Sequence, residues 1–185
     1  LLKAYGQAFT ADDAVVLIIK TFPNPHHNIE QDLANWRIEF PNAPAVELIS
    51  QDLPDSALRA LYNMADALVA PSRGEGFGLP LAEAMLHRLP VIVTGQGGQT
   101  DFCTPDTAWL IDYRYERAKT HLQGAASVWF EPSADDLARI LGEFHQAYTA
   151  GELGSMTAAR VEAADALIRS RFTWSEVAKA TVDAV

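Results

Sequence analysis

Short apolar runs punctuate the chain at Val15-Val16-Leu17-Ile18-Ile19, Val46-Glu47-Leu48-Ile49, Ala67-Leu68-Val69-Ala70, Val91-Ile92-Val93 and Ala108-Trp109-Leu110-Ile111. Each is too short for a helix and most are β-branched, which predicts buried strands. Between most of them the apolar positions take a helical spacing. Helices are predicted over Asn28 to about Glu39, Asp55 to Ala65 and Pro80 to about His87, the second with Leu53-Pro54-Asp55 at its start. Three more, Ala134 to Tyr148, Leu153 to Arg171 and Ser175 to Val185, close the chain. Strands alternating with helices predict an α/β fold, a Rossmann-like parallel sheet with helices on both faces and ligands beyond the strands' carboxyl ends. The stretch from Tyr113 to Pro132 follows neither period and is read as an irregular connection. Ordered loops of that length are often functional. Its Arg114, Arg117 and Lys119 are candidates to meet an acceptor or another domain; a solvated charge run is the plainer alternative.

Bulk properties narrow the function. With 185 residues, 49% of them hydrophobic, the chain builds one sizeable core, and 1–185 is read as one domain without repeats or low-complexity linkers. Against 24 Asp and Glu stand 14 Lys and Arg, a net charge of −10. That balance argues against a nucleic-acid surface and against a broad polybasic patch for anionic lipid. No apolar run approaches the roughly 20 residues that span a bilayer, so no transmembrane segment is expected. A single cysteine, Cys103, forms no internal disulfide and fits a reducing cytoplasm as core filler. His26-His27 and the other histidines show no metal-cage spacing, so neither a metal nor a cofactor is expected.

The chemistry concentrates in Pro71-Ser72-Arg73-Gly74-Glu75-Gly76-Phe77-Gly78-Leu79-Pro80-Leu81-Ala82-Glu83-Ala84-Met85. Glycines at 74, 76 and 78 remove side chains where a backbone bends sharply or approaches a ligand. Pro80 is suited to the first helical position, where its missing N–H is no loss. Amides near Phe77, Gly78 and Leu79 then point out of a helix N-terminus, a place that favours an anion such as a diphosphate. Glu75 does not suit a phosphate, because a carboxylate repels it. Sugar hydroxyls, which need an acceptor, explain it better. Glu83, about one turn inside the helix, is placed for a second pair of hydroxyls. The bland alternative is a tight turn with two solvated charges that happen to suit the helix dipole.

The surrounding residues carry a resemblance. Ala65-Asp66, Ala70-Pro71-Ser72, Glu75 through Met85, Pro90-Val91-Ile92-Val93, Gly97-Gly98 and Phe172-Thr173-Trp174 together resemble retaining GT-B glycosyltransferases of the glycogen-synthase-like superfamily (glycosyltransferase family 4, group 1 type). The match is to their C-terminal, donor-binding domain and runs nearly the whole chain; the Glu-x7-Glu spacing is the signature. The resemblance implies that Glu75 positions the donor sugar without acting as a nucleophile. It also implies that the backbone of Gly76, Phe77, Gly78 and Leu79 faces sugar and phosphates, and that Glu83 holds the ribose. Leu53, after the second strand, would pack on the base. Lys20, at the end of the first, is a candidate for the donor phosphate, with an ordinary solvated lysine as the alternative. Two departures stand out. Leu1-Leu2-Lys3-Ala4-Tyr5 resembles the helix that follows the family's first strand and phosphate loop, so that strand, its Arg and Lys, and the N-terminal acceptor domain are expected outside this chain. Asp101 stands where the family commonly has Glu.

The reading is therefore a donor-binding domain for a nucleoside-diphosphate sugar, transferring the sugar to an acceptor hydroxyl without a metal. Cell-surface polysaccharide synthesis is the expected setting, in the cytoplasm, with any membrane attachment in parts outside the chain. A GT-B-like nucleotide-sugar epimerase and a non-catalytic sugar-nucleotide scaffold remain open. A dinucleotide oxidoreductase fits less well, since Gly-x-Gly-x-Gly lacks the usual third spacing and comes late in the chain.

Overall fold

The computed structural model describes residues 1–23, 28–118 and 127–183; His26, His27 and Lys119 fall outside the described residues. In chain order the elements are α1 (Leu2–Ala8), β1 (Val16–Lys20), α2 (Ile29–Glu39), β2 (Ala45–Ile49), α3 (Asp55–Met64), β3 (Leu68–Ala70), α4 (Leu79–Leu86) and β4 (Val91–Thr94). A 3-10 turn (Gly98–Asp101), β5 (Trp109–Ile111), β6 (Tyr113–Arg117), β7 (Val128–Pro132), α5 (Ala134–Thr149), α6 (Leu153–Arg171) and α7 (Trp174–Asp183) follow. All the strands and helices read from the apolar pattern are present, the last helix as far as Asp183, since residues 184–185 fall outside the described residues.

The strands show why the pattern is readable. β4 is buried along its whole length, and its side chains alternate between faces as a strand's must. Val91 and Val93 enter a core with α4 and α6, containing Leu81, Met85, Phe102 and Ile168. Ile92 enters the opposite core, with Ala4 of α1 and Leu137 and Ile140 of α5. On β3, Leu68 and Ala70 join the first core and Val69 the second. A strand buried on both faces has no polar positions to spare, hence the continuous apolar run. A third core forms where Leu17, Ile19, Val46 and Leu48 of β1 and β2 meet Tyr5, Phe9, Leu33 and Trp36.

The parallel strands form two sheets. β1 pairs with β2 from Val16↔Ala45 to Lys20↔Ile49. β4 lies between β3 and β5, all parallel. Helix α1 serves both sheets, since Ala4 lies in the core of one and Tyr5 in the core of the other. Helix α3 is amphipathic, yet none of its side chains is fully buried; Leu58, Leu61 and Tyr62 remain half-buried.

The stretch from Tyr113 to Pro132, expected to be irregular, instead contains an antiparallel pair, β6–β7, in register from Tyr113↔Pro132 to Arg117↔Val128. Tyr113, Tyr115 and Phe130 form an aromatic cluster across it, with ring centroids 5.4 to 6.0 Å apart. Cross-strand aromatic pairs of this kind stabilise a hairpin that has no deep core of its own. The Asp112 amide donates to Asp136 and its carbonyl accepts from Ser133, tying the hairpin's base to α5. Among the described residues no helix is long and apolar enough to cross a membrane.

Candidate functional site

Two loops at the carboxyl edge of the three-stranded sheet build the site, one from β3 to α4 and one after β4. They are strapped together. Thr94, wholly buried at the end of β4, donates its hydroxyl to the Ser72 carbonyl at 2.7 Å. The Gly98 amide donates to the Glu75 carbonyl at 2.9 Å. The approach is so close that a Cβ on Gly98 would lie 1.7 Å from the Gly76 carbonyl oxygen. Beneath them Gln99, fully buried, donates its amide to the carbonyls of Thr94 and Gln96 at 3.0 and 2.9 Å. A side-chain amide does there what a ladder would do in regular structure, satisfying carbonyls at a strand's end.

The Glu75 carboxylate is half-buried and accepts a hydrogen bond from the Ser72 hydroxyl at 2.8 Å, leaving most of its acceptor capacity unused. Phe77 turns its ring inward against Phe102 and Phe172, at 4.9 and 5.7 Å. Only its backbone is presented to the site. Gly78, at φ 85, makes the left-handed bend that starts α4. The helix opens at Leu79, so Pro80 is its second residue and not its first. The outcome is the same: the amides of Phe77, Gly78 and Leu79 have no protein acceptor among the described residues. Leu79 itself is 66% exposed, large and apolar at an open rim.

Glu83 stands on the exposed side of α4, where its carboxylate accepts from the Tyr62 hydroxyl at 3.0 Å. Burial, and then the bond to Glu83, push the Tyr62 phenol well above its ordinary range, so it stays a neutral donor. Tyr62 stacks on His87, whose Nδ1 lies 2.8 Å from Asn63 Oδ1. Lys20 ends β1, and its ammonium donates to the adjacent Thr21 carbonyl at 2.7 Å. Leu53 is half-buried in the turn between β2 and α3. Lys20 thus closes a strand at its carboxyl end, whereas Leu53 and Glu75 lie in the loops that follow theirs. Asp101 is exposed at the end of the 3-10 turn.

Sequence reasoning misses Thr94, Gln99 and Tyr62. Thr94 is visible as the polar residue closing an apolar run; Gln99 and Tyr62 carry no local signal. Cys103 lies 1% exposed in the core, and burial pushes its thiol up to about 12. A thiol so placed is inert. A chromogenic disulfide reagent is expected to leave Cys103 unmodified in the native protein and to titrate one thiol after denaturation.

A family model described as "Glycosyl transferases group 1" matches residues 1–120. The chain belongs to the group 1 glycosyltransferases. Among curated proteins, the serotype-specific mannosyltransferase WbdA of Escherichia coli is 51% identical over 43 residues, which cover 23% of this chain and 5% of WbdA. Among solved structures, Anabaena HepE in complex with UDP-glucose superposes over the whole chain and 44% of HepE, with TM-score 0.70 at 18% identity. The C-terminal domain of the group 1 protein LpcC from Francisella tularensis covers 86% of each chain, with TM-score 0.60 at 15% identity. This glycosyltransferase chain thus has the fold of a GT-B C-terminal domain and spans less than half the length of HepE and a small fraction of WbdA.

Proposed function

We propose that these residues form the donor-binding domain of a retaining, family 4 type glycosyltransferase that uses a nucleoside-diphosphate sugar. The observation that carries the reading is the pair Glu75 and Glu83, flanking backbone amides that have no protein acceptor among the described residues. Glu75 accepts from sugar hydroxyls and Glu83 from the ribose, while the amides of Phe77, Gly78 and Leu79 meet the diphosphate at the head of α4. Leu53 packs on the base, and Lys20 is available to a phosphate by giving up its bond to Thr21. In the transfer, the bond from the anomeric carbon to the diphosphate oxygen breaks and one to the acceptor oxygen forms, with the acceptor's proton passing to the leaving diphosphate. Amides aimed at that diphosphate stabilise charge as it develops, the kind of preorganised electrostatics that needs no nucleophile on the protein. Cys103 is buried and unavailable as one. UDP-glucose in HepE and the mannosyltransferase activity of WbdA favour a hexose donor, and the serotype-specific role named for WbdA favours polysaccharide synthesis.

The domain reading includes a further parallel strand and a phosphate-binding turn outside residues 1–185. The two parallel sheets favour it: among the described residues β1 and β3 each pair on one side alone, α1 packs under both sheets, and α3 keeps its apolar stripe half-buried. An N-terminal acceptor domain is the second partner. Trp174, 89% exposed at the start of α7, with exposed Val177 and Val182, gives it an apolar seat.

Residues 1–185 alone are expected to bind nucleoside diphosphates weakly and to transfer no sugar. A chain extended at its amino end through one more strand is expected to bind at least tenfold more tightly. Calorimetric titration with UDP, GDP, ADP and their hexose derivatives, alongside a transfer assay, checks both. Efficient transfer by the 185 residues alone would refute the two-domain reading. Free epimerised donor among the products would point to the epimerase instead.

A further inference from the structure

The β6–β7 hairpin belongs to neither parallel sheet, yet three consecutive residues of β7 hold a single residue of the glycine-rich loop. The Glu131 carboxylate accepts from Arg73 Nε and Nη2 at 2.5 and 3.0 Å, a two-pronged pair with only 19% of the Glu131 side chain exposed. The Trp129 ring lies under the same guanidinium, 4.6 Å from its centroid. The Phe130 amide donates to the Arg73 carbonyl at 3.1 Å. From β6, the Tyr113 hydroxyl lies 3.5 Å from Gln96 Oε1 in the loop after β4. The hairpin therefore touches both loops that make the site.

Arg73 stands two residues before Glu75. The loop is also held by Thr94 at Ser72, by the Ser72 hydroxyl on the Glu75 carboxylate and by Gly98 at the Glu75 carbonyl. Between these points Gly74 has nothing within 4 Å of where a side chain would begin, so packing does not hold the loop there. A planar guanidinium forked onto a carboxylate and stacked on an indole has little freedom left. It fixes the chain's direction into Gly74 and Glu75. Arg73 is also the natural suspect for a phosphate cation, but its Nε and Nη2 are engaged by Glu131, whose carboxyl is held below the usual range by the hydrogen bond from Arg73.

We propose that the β6–β7 hairpin is a clamp that sets the position of Glu75 and so the choice of donor sugar, with Arg73, Glu131 and Trp129 as positioning residues. The inference rests on the donor reading of Glu75 given above.

The test uses the full-length protein and titrations with UDP, GDP and ADP, each against its glucose and mannose derivatives. The quantity read is the sugar increment, the ratio of the dissociation constant of the bare nucleotide to that of the matching nucleotide sugar. Glu131→Gln and Arg73→Gln are each expected to reduce the increment about tenfold, the size of effect that follows from misplacing one charge-assisted hydrogen bond, while the bare nucleotide binds within about twofold of wild type. The double variant is expected to lose no more than either single one, because both break the same clamp. An unchanged increment, or an equal loss with and without the sugar, would overturn the clamp. Tighter nucleotide binding by Glu131→Gln would overturn it too, since that result makes Arg73 a phosphate ligand restrained by Glu131. Wild-type protein that binds no nucleotide would instead sink the donor reading itself, and this inference with it.

Discussion

Glu83→Ala is expected to weaken nucleoside-diphosphate binding about a hundredfold. A carboxylate accepting from two ribose hydroxyls makes charge-assisted bonds, each about 1.5 kcal/mol or more, and about 1.4 kcal/mol is tenfold in affinity. The effect is expected to be local. Glu83 is exposed, its carboxylate is met by the Tyr62 hydroxyl, and its backbone lies within regular helix. Stability should thus stay within about 0.5 kcal/mol, as for ordinary surface substitutions. The discriminating ligand is a 2′,3′-dideoxy nucleoside diphosphate, whose already weak binding is expected to be the same in wild type and variant. If the dideoxy compound loses as much as the parent, Glu83 is not reading the ribose. Tyr62→Phe provides a graded check. It leaves the carboxylate in place but frees it to turn, so a smaller loss of about fivefold is expected, confined again to ligands with ribose hydroxyls.

The difference between what the sequence discloses and what it hides follows from where each interaction lies along the chain. β4 is legible because it is buried on both faces, so Val91, Ile92 and Val93 have to be apolar without alternation. The α4 start is legible because Gly78, Leu79 and Pro80 encode a bend and a helix opening within three residues. Glu75 and Glu83 emerge through a spacing fixed by one loop and one helix. The β6–β7 hairpin is hidden, although Tyr113-Arg114-Tyr115-Glu116-Arg117 does alternate, because its cations mask the period and its partner strand lies ten residues away. The Arg73–Glu131 pair and the Tyr62–Glu83 bond join residues 58 and 21 positions apart. No local pattern announces contacts of that range; folding creates them. The division of the parallel strands into two sheets is equally invisible, since each strand taken alone has the composition of a buried one.

Gly98→Ala is expected to be the most damaging small substitution in the domain. Its Cβ would lie 1.7 Å from the Gly76 oxygen, 2.7 Å from the Gly76 carbonyl carbon and 3.1 Å from the Glu75 oxygen. All three are backbone atoms, so no rotamer change relieves the clash. The two loops must part by roughly 1.5 Å to restore ordinary contact distances. That movement breaks the hydrogen bond from the Gly98 amide to the Glu75 carbonyl. Overpacking of this kind costs about 1–3 kcal/mol and a broken hydrogen bond about 1 more. At about 2–4 °C per kcal/mol for a domain of this size, the expected fall in Tm is about 4–16 °C. Sugar discrimination should fall with it, because Glu75 moves with its own carbonyl. Gly142→Ala is the matched control. That position, inside α5, has nothing within 4 Å of a new Cβ, and alanine there is expected to raise stability by about 0.5–1 kcal/mol. Differential scanning calorimetry on both variants separates a steric clash between loops from a general effect of glycine replacement. Should Gly98→Ala melt with wild type and keep its sugar increment, the two loops cannot be in the contact that places Glu75, and the step from loop geometry to sugar recognition would fail at that point.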